Sequence, residues 1–207
     1  MSLIYLRHAT QRDLPSIMTI IHEAQALLKS DGSPQWQDGY PTEGTFQTDI
    51  QKNECFVLMV GDQVAGVATL AHDPQANYQN ISDGHWDVTD QPYATIHRLA
   101  LSAEFREMHL SNYLMSNLIS IGVEQSMQNF RIDTHAMNKR MQGLIKSAGF
   151  HYCGIIDKGD KVQERLGYDY KGRDDKTSKT GALEADDVKR LDFRHSLLLF
   201  VLCFYRI

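Results

Sequence analysis

The first feature of this 207-residue sequence that could do chemistry is an arginine between a predicted strand and a predicted helix. The stretch Tyr93 to Leu101 is short, apolar and β-prone, and helical spacing then relates Leu110, Leu114, Leu118 and Ile121. Arg106 lies in the intervening turn, residues 102–109. Because the first amides of a helix are free and its N-terminal end is positive, this turn is predicted to bind an anion.

Two histidines could move a proton, because an imidazole titrates near neutrality. His97 lies in the strand before the turn, and His135 ends a second predicted strand, residues 129–135. A structural interpretation of each stays open. His97 could be a half-buried strand histidine bonded to a backbone carbonyl, and His135 could face solvent.

The segment Leu99-Ala-Leu-Ser-Ala-Glu-Phe-Arg106 and the helix after it resemble the part of the GNAT superfamily of N-acetyltransferases that holds the pyrophosphate of acetyl-coenzyme A. The family has glycines or a small residue where this chain has Glu107, His109 and Ser111. Glycines let phosphates approach the backbone closely, so a bulky His109 could weaken the cofactor site or add a charge-assisted contact. Asn138, which opens a predicted helix ending at Gly149, is a second match to the family.

The resemblance implies roles for particular residues. The residues implied to contact the cofactor are Leu99, Ala100, Leu101, Arg106, Glu107, Met108, His109, Leu110, Ser111 and Asn112. Asn138 is implied to contact the pantetheine arm. His97-Arg-Leu-Ala is similar to the His-x-Leu-Ala of arylalkylamine N-acetyltransferases, which implies that His97 is the proton acceptor, with His135 as second candidate. Many family members have a tyrosine on the last helix that donates a proton to the departing thiolate. That position is Ile145 here, so the general acid is unassigned.

Three aromatic residues in predicted loops are candidates for binding the acceptor substrate. Trp36 and Tyr40 lie in a loop rich in Gly and Pro, and Trp86 lies in a long polar segment, residues 72–91. Such aromatics either pack as lids or form ligand walls. The acidic residues of the long segment are expected to be solvated, or to favour a cationic amine if they face the site; they are Asp83, Asp87 and Asp90.

The elements around these residues predict an α/β (α+β) GNAT-type fold, a twisted mixed sheet of six or seven strands with helices on both faces. The predicted strands cover residues 3–7, 55–60, 63–71, 93–101, 129–135, 150–156 and 161–171, and the predicted helices residues 10–30, 43–52, 110–121 and 138–149. A V-shaped opening is expected between the strand that ends at Leu101 and the strand that includes Phe130. Residues 1–172 form the predicted acetyltransferase domain. Residues 173–207 form an extension with a polar linker and an apolar tail, which makes a homodimer plausible.

Composition excludes several classes of protein. A net charge of -5 and a pI near 6.0 argue against nucleic-acid binding, which needs clustered Lys and Arg. The three cysteines form no CxxC pair, which predicts a reduced, cytoplasmic protein without a metal site. No signal peptide is apparent, and the apolar run of residues 197–205 is too short to span a membrane.

The resemblance implies an acyltransferase that moves an acetyl group from acetyl-coenzyme A to a primary amine of a small molecule or a protein, by direct attack. The alternative is a catalytically weak GNAT-fold module that senses coenzyme A or serves as an interaction subunit.

Overall fold

A computed structural model describes residues 2–72, 76–156 and 164–171 of the chain. The chain divides into two units, Met1–Gly172 and Arg173–Ile207, and every described residue belongs to the first. The linker and apolar tail predicted for residues 173–207, and the turn predicted around residue 159, lie outside the described residues.

Helices and strands alternate along the described chain. The helices are α1 (Leu14–Ser30), α2 (Glu43–Gln51), α3 (Leu110–Glu124) and α4 (Lys139–Ser147). The strands are β1 (Ile4–His8), β2 (Cys55–Val60), β3 (Gln63–Ala71), β4 (Ile81–Ser82), β5 (Tyr93–Leu101), β6 (Asn129–His135), β7 (His151–Ile156) and β8 (Arg165–Lys171). Short 3-10 helices cover Gln11–Asp13, Ala76–Gln79 and Ala103–Met108.

The strands form one mixed sheet in the order β1-β2-β3-β5-β6-β8-β7-β4. Only β5 and β6 pair in parallel among the described strands. The predicted fold class is confirmed, with eight strands instead of six or seven. The additional strand, β4, comes from the long polar segment and pairs with β7.

Helices cover both faces of the sheet, as predicted, because β2 alternates its apolar side chains between two cores. One core joins β2 to α1 and α2 through Cys55, Val57, Met59, Ile17, Ile21 and Phe46. The other joins β2 to α3 and α4 through Phe56, Leu58, Val60, Leu114, Leu118 and Ile145. Fully burying one such side chain contributes about 1.5–3 kcal/mol, which fixes the helices on the sheet.

A capping box formed by Thr10 and Asp13 holds the 3-10 helix that leads into α1. Asp13 accepts hydrogen bonds from the backbone amide and the hydroxyl of Thr10 at 2.7 and 2.9 Å. The guanidinium of Arg7 donates to both oxygens of Asp13 at 2.8 Å. The hydrogen bonds from Arg7 are the main cause that lowers the pKa of Asp13 to about 2.

The sheet opens where its two parallel strands separate. The ladder between β5 and β6 runs from Tyr93–Asn129 to Thr95–Arg131, whereas β5 continues to Leu101 paired with β3. A bulge in β5 accompanies the separation, and Arg98 there has a positive φ of 52°. The observed ladder therefore ends in the V-shaped opening that the sequence predicted.

Candidate active site

A cavity of about 710 Å³ lies at the opening between β5 and β6. Its walls come from α1, the loop after α1, residues 96–101 of β5, the turn before α3, the first residues of α4 and the start of β8. A cavity of this volume can hold a small-molecule ligand.

His97 lines the cavity beside a buried carboxylate. Its Nδ1 lies 4.0 Å from Oδ1 of Asp133 on β6, and its side chain is 15% exposed. The hydroxyl of Tyr78 donates to the same oxygen at 2.7 Å. Burial, and secondarily the charge of Asp133, raises the pKa of Tyr78 well above its ordinary value, so this phenol stays a donor and holds the carboxylate beside His97.

The second histidine candidate is placed differently. His135 ends β6, and its Nδ1 accepts a hydrogen bond from the backbone amide of Met137 at 3.1 Å. It is not among the residues that line the cavity. Only His97 of the two candidates therefore meets the cavity wall.

The residues implied to contact the cofactor divide into two groups. Those that line the cavity are Leu99, Ala100, Leu101, Arg106, Ser111 and Asn138. Those that do not are Glu107, Met108, His109, Leu110 and Asn112. Leu110 is 4% exposed in the core, and the amide oxygen of Asn112 accepts a 3.2 Å hydrogen bond from Ser147 on α4.

The turn before α3 has the backbone shape of a glycine turn without the glycine. His109 has φ 54° and ψ 28°, a left-handed conformation that glycine adopts at no steric cost and that histidine tolerates better than most residues. No side chain caps the N-terminus of α3 within the described structure. The first amides of α3 therefore remain for a ligand, and Arg106 and Ser111 stand on the cavity side of the same turn.

Asn138 has a structural task as well as a place in the cavity wall. Its side-chain oxygen accepts from the backbone amide of Met141 at 3.1 Å, which caps α4. Its side-chain amide donates to Gln35 at 3.3 Å. Gln35 also accepts from the backbone amide of His135 at 3.1 Å, so the loop after α1 is fastened to the end of β6.

The three aromatic candidates separate in the same way. Trp36 and Tyr40 line the cavity, whereas Trp86 does not. Trp86 is 6% exposed, donates its indole N–H to the carbonyl of Tyr78 at 2.7 Å and lies 4.2 Å from the guanidinium of Arg131. It packs under the long segment, and its predicted role in binding a substrate stays a prediction.

Arg98, which the sequence did not single out, joins the cavity wall to α2. Its Nε and Nη2 lie 2.8 and 2.7 Å from one carboxylate oxygen of Asp49, and its Nη1 donates to the hydroxyl of Tyr40 at 2.6 Å. Burial alone would lower the pKa of Arg98, but the interactions with Tyr40 and Asp49 raise it. Each of the three nitrogens of this cation therefore has a protein partner.

The acidic residues of the long segment do not line the cavity. Asp87 instead lies 2.7 Å from His151 on β7, and both side chains are about half exposed. Cys153 offers its sulfur within 4.8 Å of both, so these three residues could ligate a metal. Burial raises the pKa of the Cys153 thiol to about 11, which opposes the thiolate that a metal needs.

Sequence reasoning also gave no site role to Asp133 or Arg165. Asp133 and its neighbour Ile132 both line the cavity although alternate strand residues point to opposite faces, so the alternating pattern of β6 did not identify Asp133. Arg165 begins β8 and reaches the cavity only because β8 pairs with β6, a neighbour that the sequence order does not reveal. Among the described residues, no helix is long and apolar enough to cross a membrane.

Comparisons with known proteins agree with this architecture. Residues 21–150 match the model of the Acetyltransferase (GNAT) family. An acetyltransferase structure of the GNAT family from Streptococcus agalactiae 2603 shares 30% identity over 83% of this chain and 96% of that chain, with a TM-score of 0.75. No curated protein sequence matches the chain significantly.

Two further structures share the fold. A GNAT family acetyltransferase from Listeria monocytogenes 4b F2365 is 20% identical over 81% of this chain and 94% of that chain, with a TM-score of 0.64. The ribosomal L7/L12 alpha-N-protein acetyltransferase RimL, in complex with coenzyme A, is 14% identical over 83% of this chain and 96% of that chain, with a TM-score of 0.59. From the family match and the 30% identity, we conclude that this chain belongs to the GNAT family of acetyltransferases.

Proposed function

We propose that this acetyltransferase moves the acetyl group of acetyl-coenzyme A to a primary amine by direct attack in a ternary complex. The observation that carries the proposal is one cavity that joins a histidine beside a buried carboxylate to an arginine at an uncapped helix N-terminus. The first pair suits proton transfer from an amine, and the second suits a pyrophosphate.

The turn before α3 fits the cofactor despite its missing glycines. The left-handed backbone at His109 keeps the shape that glycine favours, and the amides at the start of α3 are uncapped. Arg106 would pair with the pyrophosphate, the α3 amides would bind it, and the cavity-facing edge of residues 96–101 would hold the pantetheine. When bound, the cofactor supplies an activated thioester.

His97 is the proposed proton acceptor. As the amine attacks, a C–N bond forms, the C–S bond breaks, and His97 takes one proton from the nitrogen. Asp133, 4.0 Å from His97 Nδ1, stabilises the imidazolium that results. The thiolate leaves without a dedicated acid from the position of Ile145, which is fully buried in the core.

Calorimetric titration with acetyl-coenzyme A tests the cofactor site. We expect the intact protein to bind, and Arg106→Ala to weaken binding about 10- to 100-fold, because a charge-assisted hydrogen bond contributes about 1.5–3 kcal/mol. Arg12→Ala is the matched control, since Arg12 is exposed in the 3-10 helix before α1 and does not line the cavity. No binding by the intact protein would overturn the proposal in favour of an interaction module.

A cytoplasmic location, a homodimer and the absence of nucleic-acid and membrane partners stay predictions from the sequence. The amine class of the acceptor is the part of the proposal that the cavity can define further.

A further inference from the structure

Arg165 is a buried cation with few hydrogen bonds to the described part of the protein. It is 8% exposed, begins β8 and lines the cavity. Its Nε and Nη1 are buried and make no hydrogen bond with the residues that the structure describes. Oδ2 of Asp133 is 3.9 Å from Nε, beyond hydrogen-bond distance, and the hydroxyl of Tyr78 donates to the other oxygen, Oδ1.

A buried guanidinium in this condition is costly, because an unsatisfied charged donor loses its hydration without replacement. Arg98 shows that this fold can give every nitrogen of a buried arginine a protein partner, through Asp49 and Tyr40. Because Arg165 lines the cavity, a ligand there can approach the part of its guanidinium that faces the cavity.

We propose that Arg165 binds the carboxylate of the acceptor, and that the acceptor is a free amino acid or a similar small molecule carrying both an amine and a carboxylate. This inference rests on the proposed acetyl transfer. A guanidinium presents paired N–H groups that match a planar carboxylate, which favours this anion.

The position of Arg165 relative to the proposed base supports an acceptor with both groups. His97 Nδ1 and Arg165 Nε lie within 4.0 Å of different oxygens of the same carboxylate, Asp133. A carboxylate on Arg165 thus places a neighbouring amine close to His97. The negative charge of Asp133 between them favours the amine end of the same molecule.

The rest of the cavity suits a small molecule with an apolar body. Helix α1 contributes Ala24, Leu27 and Leu28 to the wall, and the loop after α1 contributes Trp36. A protein N-terminus lacks the required feature, since its α-amine is followed by an amide instead of a carboxylate.

The test compares acids with their amides. The full chain is assayed with acetyl-coenzyme A against the common L-amino acids, each paired with its carboxamide, by release of the coenzyme A thiol. We expect at least one amino acid to exceed its carboxamide at least tenfold in kcat/KM. In Arg165→Met the ratio of kcat/KM for the amino acid to that for its carboxamide falls to about one, mainly because the KM for the amino acid rises. Arg165→Lys keeps part of this preference, and Arg12→Met keeps all of it.

Several outcomes overturn the inference. They are equal rates for acids and carboxamides in the intact protein, a preference for acids that persists in Arg165→Met, and acetylation of no amino acid in the panel. The first and third need no variant, so a misfolded variant does not rescue the inference. Acetyl-coenzyme A binding, and acetylation of a peptide N-terminus in the same assay, judge the proposed acetyl transfer separately.

Discussion

Two walls of one cavity each contain a buried arginine, and the two arginines differ in their hydrogen bonding. In the wall at the β5 bulge, Arg98 is bonded to Asp49 and Tyr40, and the network closes on itself. In the wall where β6 meets β8, Arg165 has two buried nitrogens without a hydrogen bond to the described part of the chain. A closed network contributes to the stability of the fold, whereas a charge that the protein leaves unsatisfied is a feature for a ligand.

The largest expected effect is on catalysis and concerns His97, the proposed proton acceptor on β5. His97→Ala should lower kcat by about 10²- to 10⁴-fold, because a positioned general base contributes that much. Affinity for acetyl-coenzyme A should change little, since the proposed pyrophosphate contacts come from another element. Steady-state kinetics and calorimetry on the same preparation measure both.

The pH profile separates a base from a structural histidine. The intact protein should lose kcat/KM as pH falls through the imidazole range, because a protonated imidazole accepts no proton, and His97→Ala should lack this acidic limb. His135→Ala should cause a much smaller loss, since His135 does not line the cavity. Equal losses in the two variants would contradict the assignment.

The next effect tests the contrast between the two arginines directly. Arg98→Met should lower the free energy of unfolding by about 3–5 kcal/mol, because it removes the 2.8 and 2.7 Å bonds to the buried Asp49, which among the described residues then keeps only the hydrogen bond from Thr69. Arg165→Met should change it by less than about 1 kcal/mol, because Nε of Arg165 lies 3.9 Å from Asp133 and makes no hydrogen bond to it. Urea unfolding followed by circular dichroism measures both, and a large loss in Arg165→Met would make Arg165 a structural residue.

The same contrast explains how far sequence reasoning reached. Strands such as Tyr93–Leu101 and Asn129–His135 were predicted at their observed bounds, since periodicity, turns and caps are local signals. His97 and Arg106, which line the cavity, were singled out because each lies in a local motif, and their roles stay predictions. Arg165 was missed, because its place on the cavity depends on β8 pairing with β6 across thirty residues of sequence.

Local reasoning is weaker where burial depends on distant neighbours. From its loop, Trp86 was predicted either to pack or to form a ligand wall; it packs on Arg131 and Tyr78 under the long segment, and a contact with substrate stays a prediction. The missing glycines at the turn before α3 suggested either a weakened site or an added contact from His109. The backbone at His109 nevertheless takes the left-handed shape that glycine adopts most easily.

A third charge network, at the start of α1, shows whether closed networks contribute to stability outside the cavity. Asp13 is stabilised as a carboxylate by Arg7 and Thr10, so its contribution of about 2 kcal/mol is present above about pH 5 and is lost as pH falls towards its folded pKa of about 2. Asp13→Asn should remove most of this contribution at pH 7 and flatten that part of the acid profile. Urea unfolding between pH 2 and 7 measures it, with the exposed Asp62→Asn as control; equal profiles for the two variants would contradict the assignment.

The smallest expected effect concerns the outer bond of the Arg98 network. Tyr40 is 40% exposed and accepts a 2.6 Å hydrogen bond from Arg98, which keeps two bonds to Asp49 when the hydroxyl is removed. Tyr40→Phe should therefore lower the free energy of unfolding by about 1 kcal/mol, the net value of one hydrogen bond, compared with several kcal/mol for Arg98→Met. Tyr152→Phe, at an exposed tyrosine of β7, is the matched control and should change it by a few tenths of that. If Tyr40→Phe lowers the free energy of unfolding as much as Arg98→Met does, the network depends on Tyr40 in the loop rather than on Asp49. The hydrogen bonds of Arg98 would then not be complete without a ligand.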